Sequence, residues 1–222
     1  MGKNIFFLSL LCLGLLINPS AAPVVWVDWT SGTAGANGVA NGTLTLGTTS
    51  VNVNYSGEIA FIQTSGGINY WTPSGAYLST SVDNAPATTD IIALSYTTTK
   101  TITFSQAVDN LFFAFISLNV NGYQFNRDFE IVSCGTGYCG SGTLSKTNPS
   151  AGVYQLNATS GEPHGVIRFT GSVTSITWTS LINEYWNGFT VGTYGLAPVP
   201  ELSSCWLLGI ALIALFVRLR RQ

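Results

Sequence analysis

The chain has 222 residues, of which 46% are hydrophobic and only 8% charged, with a formal net charge of −2. Uncharged apolar runs at 5–17 and 205–217 flank a body, residues 23–197, in which nine acids against four bases (Lys100, Arg127, Lys146, Arg168) leave a net charge of −5. Four scattered bases cannot neutralise a run of phosphates, which excludes nucleic acid as a partner.

Lys3, the apolar run 5–17 and the small residues Ser20-Ala21-Ala22 are the three parts of a secretory signal peptide. The run falls short of the ~20 residues of an ordinary spanning helix. Residues 1–22 are therefore expected to form a signal helix that signal peptidase removes.

The body is rich in Thr, Ser, Gly and Asn and poor in strong helix formers, while β-branched and aromatic residues are common. Apolar residues recur at period two, as in Val25, Val27 and Trp29, in Val51, Val53 and Tyr55, and in Phe125, Phe129 and Ile131. Denser runs at 59–62, 91–94 and 111–118 predict central strands buried on both faces. Turn signals separate them at Ala36-Asn37-Gly38, Asn41-Gly42, Ser65-Gly66-Gly67, Asp109-Asn110, Asn121-Gly122 and Thr170-Gly171-Ser172. The spacing predicts about a dozen short strands at intervals of ~8–12 residues. The expected fold is all-β, an antiparallel two-sheet sandwich of jelly-roll type, with a closed barrel as the alternative.

Within the body, Tyr70-Trp71 and Tyr185-Trp186 are the candidate glycan contacts. Neighbouring strand residues point to opposite faces, so one ring of each pair can stack on a sugar. Asp128 and Glu130, two apart on one expected strand, are separated by roughly 6–7 Å. That is close to the ~5–5.5 Å of a retaining glycosidase pair, yet catalytic pairs come from different strands, and no catalytic residue is assigned. Cys134 and Cys139 are the only cysteines of the body and are expected to form a small disulfide-closed hairpin tip. His164 is the only histidine in the chain, without a second histidine or a nucleophile motif, and reads as a structural residue. No metal site and no cofactor is expected. The turns Asp83-Asn84 and Asp109-Asn110 offer oxygens for calcium but not the full set of six or more ligands.

The C-terminal residues 198–222 begin with Val199-Pro200-Glu201, continue through an apolar helix expected over about 203–219, and end in Arg218, Arg220 and Arg221. Arginines at the end of an apolar helix stay cytoplasmic, which leaves the body outside, in agreement with the N-terminal signal. This tail resembles the PEP-CTERM sorting signal of Gram-negative bacteria, with Leu202 in place of the second proline. The resemblance implies cutting by an exosortase, transient residence in the inner membrane, then transfer to the cell surface, in hosts that make exopolysaccharide and biofilm matrix. The body is similar to a group of such proteins without assigned activity, through Trp26-Val27-Asp28-Trp29-Thr30-Ser31, Thr103-Phe104-Ser105-Gln106-Ala107-Val108, His164-Gly165-Val166-Ile167-Arg168-Phe169 and Trp186-Asn187-Gly188-Phe189-Thr190-Val191-Gly192. The function expected is a non-enzymatic exported envelope or matrix protein associated with exopolysaccharide. A carbohydrate-binding module using exposed aromatics is the alternative, followed by a glycan-acting hydrolase.

Overall fold

The computed structural model describes residues 23–87 and 89–198. The expected signal 1–22 and the tail residues Val199, Pro200, Glu201, Arg218, Arg220 and Arg221 lie outside the described residues. Among the described residues no helix is long and apolar enough to cross a membrane.

The described chain is all-β and antiparallel. Its strands are β1 (Val25–Trp26), β2 (Asp28–Thr33), β3 (Gly35–Leu46), β4 (Thr49–Ile59), β5 (Phe61–Gln63), β6 (Ile91–Leu94), β7 (Thr99–Ile116), β8 (Gly122–Phe125), β9 (Glu130–Gly135), β10 (Gly142–Ser150), β11 (Val153–Gly161), β12 (His164–Ser180), β13 (Asn187–Thr193) and β14 (Gly195–Leu196). The one helical piece among the described residues is a 3₁₀ turn at Ser74–Tyr77.

Two strands are far longer than the spacing predicts: β7 has 18 residues and β12 has 17. They pair along nearly their whole length, with register shifts between Phe169 and Ser172 and between Val173 and Ser175. On one side of these shifts, residues 101–104 of β7 pair with β4, which continues through β3 to β2. The matching part of β12 pairs with β8, which leads through β11 to β10. On the other side, residues 112–116 of β7 pair with β13, which leads to β6 and β5, while β12 pairs with β9. The two long strands thus run through two antiparallel limbs, an arrangement that fits a β-sandwich.

Asp109-Asn110 and Thr170-Gly171-Ser172, expected as turns, mark this bend instead. Asn110 adopts a left-handed conformation (φ 51°), and its side-chain oxygen accepts from the Gly171 N–H at 3.2 Å. An extra residue on one strand bends and twists a ladder without ending it. Ala36-Asn37-Gly38 and Asn41-Gly42 likewise lie inside β3 rather than at turns. Gly42 is needed there for space: a Cβ would sit 2.8 Å from the Asp28 carbonyl and 2.9 Å from the Trp29 ring. The run 59–62 is not central either, since it splits between the end of β4 and the half-buried strand β5.

Alternation on β7 explains why 111–116 is apolar throughout. Phe113 and Phe115 point into the larger core with Trp29, Tyr55, Ile102, Trp178 and Phe189. Phe112, Ala114 and Ile116 point the other way, into a second core closed by Trp71, Ala76, Tyr77 and Val82. Phe113 stacks on Phe189 at 5.0 Å between centroids and meets Trp178, Tyr123 and Phe125 edge-on. Phe113→Ala should therefore cost about 3–5 kcal/mol of unfolding free energy, measured by denaturant titration. A loss under about 1 kcal/mol would show that the site collapses without a cavity.

Candidate functional site

The ends of β7 and β11 and the segments that enter β12 and β13 meet at one edge of the second limb. They surround a cavity of about 350 Å³. Its lining includes Ser117 and Asn119 after β7, Glu162 before β12, and Glu184, Tyr185 and Trp186 before β13, with Cys139 alongside. Such a volume lies at the lower end of ligand pockets, ~300–1,000 Å³.

The loop after β7 holds two non-glycine residues in the left-handed region, Ser117 (φ 60°) and Val120 (φ 52°). For a β-branched residue this conformation is costly, on the order of 1–3 kcal/mol, and the surrounding structure must impose it. Here it is imposed by backbone bonds. The Leu118 N–H donates to the Pro163 carbonyl at 3.3 Å and the Val120 N–H to the Gly161 carbonyl at 3.2 Å. Val120 itself is 63% exposed beside the cavity loop, so burial does not account for it.

The opposite wall is aromatic. Tyr185 is 93% exposed, and Trp186 is half-buried, packed edge-on against Phe61 and Tyr70 at 5.2 Å each. Tyr70 in turn meets Tyr138 at 5.1 Å. The rings meet edge to face rather than in a coplanar row. Of the four expected glycan contacts, Tyr70, Tyr185 and Trp186 fall in or beside this cleft. Trp71 does not: it is 2% exposed, donates its indole N–H to the Asp90 carbonyl at 3.1 Å, and packs on Tyr77. The reason is that residues 70–71 lie in a loop folded over the second core, so strand alternation does not govern them.

Glu184 is held by a polar chain that starts in the core. The buried Tyr123 hydroxyl donates to the Asn187 side-chain oxygen, and the Asn187 amide donates to Glu184 Oε1. Asn121 also donates to Oε1 at 2.8 Å, and the Asn119 N–H donates to Oε2 at 3.2 Å. Burial pushes the Glu184 carboxyl up, these hydrogen bonds pull it back, and the Glu162 charge reinforces the rise. Glu162 Oε2 accepts from the Ser117 hydroxyl at 3.1 Å. The loop carrying Glu184 is fixed from below. The Glu184 N–H donates to the Ser95 carbonyl at 3.0 Å, and Ser95 and Tyr96 donate their N–H groups to the buried Glu58 carboxylate. Buried Lys100 satisfies the carbonyls of Tyr96 and Thr98; desolvation lowers its pKa to about 8, opposed by the Glu58 charge.

Asp128 and Glu130 do not form a pair. Phe125 and Phe129 are not on one strand: β8 ends at Phe125, and the chain crosses between the limbs before β9 begins at Glu130. Asp128 pairs with Lys146 and Glu130 with Arg168, each at an exposed position. The Lys146 hydrogen bond holds the Asp128 carboxyl below the usual carboxylate range.

Cys134 and Cys139 are free thiols rather than the expected disulfide. Gly137 and Gly140 close the hairpin tip by a backbone bridge, 2.8 Å from the Gly137 N–H to the Gly140 carbonyl, so no cross-link is needed there. Cys134 Sγ faces the Gly142 carbonyl at 3.5 Å, whereas Cys139 lies against the cavity with Ser117 and Glu162. Burial pushes both thiols up.

His164 is fully buried, with Nδ1 3.4 Å from the Tyr77 hydroxyl and Gly137 packed on its ring, where a Cβ would come within 2.3 Å. Burial lowers its pKa from 6.5 to about 4. No group of three or more His, Cys, Asp or Glu that could hold a metal ion occurs among the described residues. Neither Glu184 nor Glu162 was recognised from the sequence as a cleft residue. No spacing rule joins them, because they enter from two different strand ends.

No family model, no curated protein and no solved structure matches the chain.

Asn187→Ala removes the link between Tyr123 and Glu184 and leaves a buried hydroxyl without its acceptor. The expected loss is about 1–3 kcal/mol of stability by chemical denaturation. His164 supplies a pH test. Its folded pKa lies below its unfolded value, so between about 4 and 6.5 the unfolded chain binds the extra proton. Stability should fall as pH drops through this window, on the order of 3 kcal/mol in total, and the slope should flatten in His164→Gln. An unchanged slope in the variant would remove His164 as its source.

Proposed function

We propose that this chain is a non-enzymatic exported protein of the cell envelope or extracellular matrix. Residues 1–22 direct export, the apolar helix over about 203–219 holds the chain in the inner membrane, and an exosortase acts at Val199-Pro200-Glu201. The observation that carries this reading is the order of that tripeptide, the apolar run and the arginines Arg218, Arg220 and Arg221 at the extreme end, opposite an N-terminal signal. The body is read as a jelly-roll-like two-sheet sandwich that stands at the cell surface and meets exopolysaccharide.

The cleft favours the more specific reading as a carbohydrate-binding module. Trp186 and Tyr185 offer flat apolar faces, and Asn119, Ser117 and the two carboxylates offer the polar groups that orient sugar hydroxyls. Both oxygens of Glu184 accept hydrogen bonds from amides, which fixes the carboxyl in the cleft and opposes, without cancelling, the upward shift that burial imposes on it.

Intact-mass measurement of the mature protein from its native host should show loss of 1–22 and of the tail, with the tail retained when the exosortase is deleted. An unchanged tail in both strains would refute sorting. In glycan pull-down, Trp186→Ala should lose retention while Trp71→Ala, a core substitution, acts only through stability. Full retention by Trp186→Ala would count against the cleft.

A further inference from the structure

We infer that the cleft selects glycans carrying free amino groups, such as a de-N-acetylated amino-sugar polymer. This rests on the preceding reading of the cleft as a carbohydrate site and names the chemistry of its ligand. The cavity is lined by two carboxylates, Glu162 and Glu184, and by no lysine or arginine. All four bases of the body are engaged elsewhere. Lys100 is buried on the carbonyls of Tyr96 and Thr98, and Arg127 donates to the carbonyls of Thr170 and Ser172. Lys146 pairs with Asp128, and Arg168 with Glu130.

Among the described residues, Glu162 and Glu184 therefore share a half-buried cleft without a basic partner, and the Glu162 charge adds to the cost of ionising Glu184. Partly desolvated anions with no counter-charge are unfavourable, and a cation entering the cleft relieves them. The aromatic wall adds to the same preference, because a ring face attracts an ammonium group within ~6 Å while its apolar surface covers a sugar ring. A divalent metal fits less well. Calcium needs six or more oxygens, and the lining offers few beyond the carboxylates of Glu162 and Glu184, the latter already accepting from Asn119, Asn121 and Asn187.

The test is calorimetric titration of the purified full-length protein at a pH of about 6 with four probes: a β-1,4-glucosamine tetramer, its N-acetylated counterpart, the neutral glucose tetramer and tetralysine. The glucosamine tetramer should bind at least about tenfold more tightly than the other three, and added salt should narrow the gap. Glu162→Gln, which keeps an acceptor for the Ser117 hydroxyl, should erase the preference for the amine tetramer over its acetylated counterpart without changing the melting temperature. Equal affinity for the amine and acetylated tetramers, or a preference that survives Glu162→Gln, overturns this inference and leaves the glycan cleft standing. Tetralysine binding as tight as glucosamine overturns the commitment to a sugar. Absence of binding by any sugar overturns both this inference and the reading it rests on.

Discussion

The long pairing of β7 with β12 is the constraint on which the remaining structure depends. Two strands of this length cannot stay flat, because strand twist accumulates along a ladder. The register shifts near Phe169 and Val173 absorb that strain by turning both strands together. Each strand then contributes one half to each limb, so the two limbs are covalently continuous across the core. The aromatic cluster around Phe113, Phe189 and Trp178 fills the space that this bend encloses.

The cleft is a consequence of where those strands stop. β7 ends at Ile116 and β12 begins at His164, beside the start of β13 at Asn187. The connecting segments must turn sharply at one edge, and the left-handed residues Ser117 and Val120 are the local cost of doing so. The turn is held by backbone bonds to Pro163 and Gly161 and by the buried Leu118, and a polar chain from Tyr123 through Asn187 to Glu184 meets it at the Asn119 N–H. A buried network of this kind fixes geometry because each member satisfies the next, and a missing member leaves an unpaired group. The carboxylate at the cleft is thereby positioned from the interior.

Much of the fold was legible in the sequence. Period-two alternation gives an all-β body, and the dense runs at 91–94 and, of 111–118, the part up to Ile116 are strands buried on both faces. The strand lengths were not legible, because Asn-Gly and Asp-Asn read as turns whenever local chemistry is the only guide. In this body the same residues serve as bulges or leave room for a ring, as Gly42 does under Trp29. The aromatic pairs were half legible: Tyr185-Trp186 reaches the cleft, whereas Trp71 is core. A loop inverts the alternation rule without any mark in the sequence. The carboxylates of the cleft and the free thiols were missed for a shared reason, since each depends on which segments the tertiary fold brings together.

Strand β13 also sets a direction. The described body begins beside the far end of this strand, where Val25 faces Thr193, and ends just after it, where Gly195 faces Asp109. Glu184 and Trp186 precede its near end at Asn187. Seven residues at ~3.4 Å each separate these ends by roughly 20 Å. Entry and exit of the chain therefore share one pole of this limb and the cleft occupies the other. If the tail tethers the chain as proposed, the mouth of the cleft would point away from the surface that bears it.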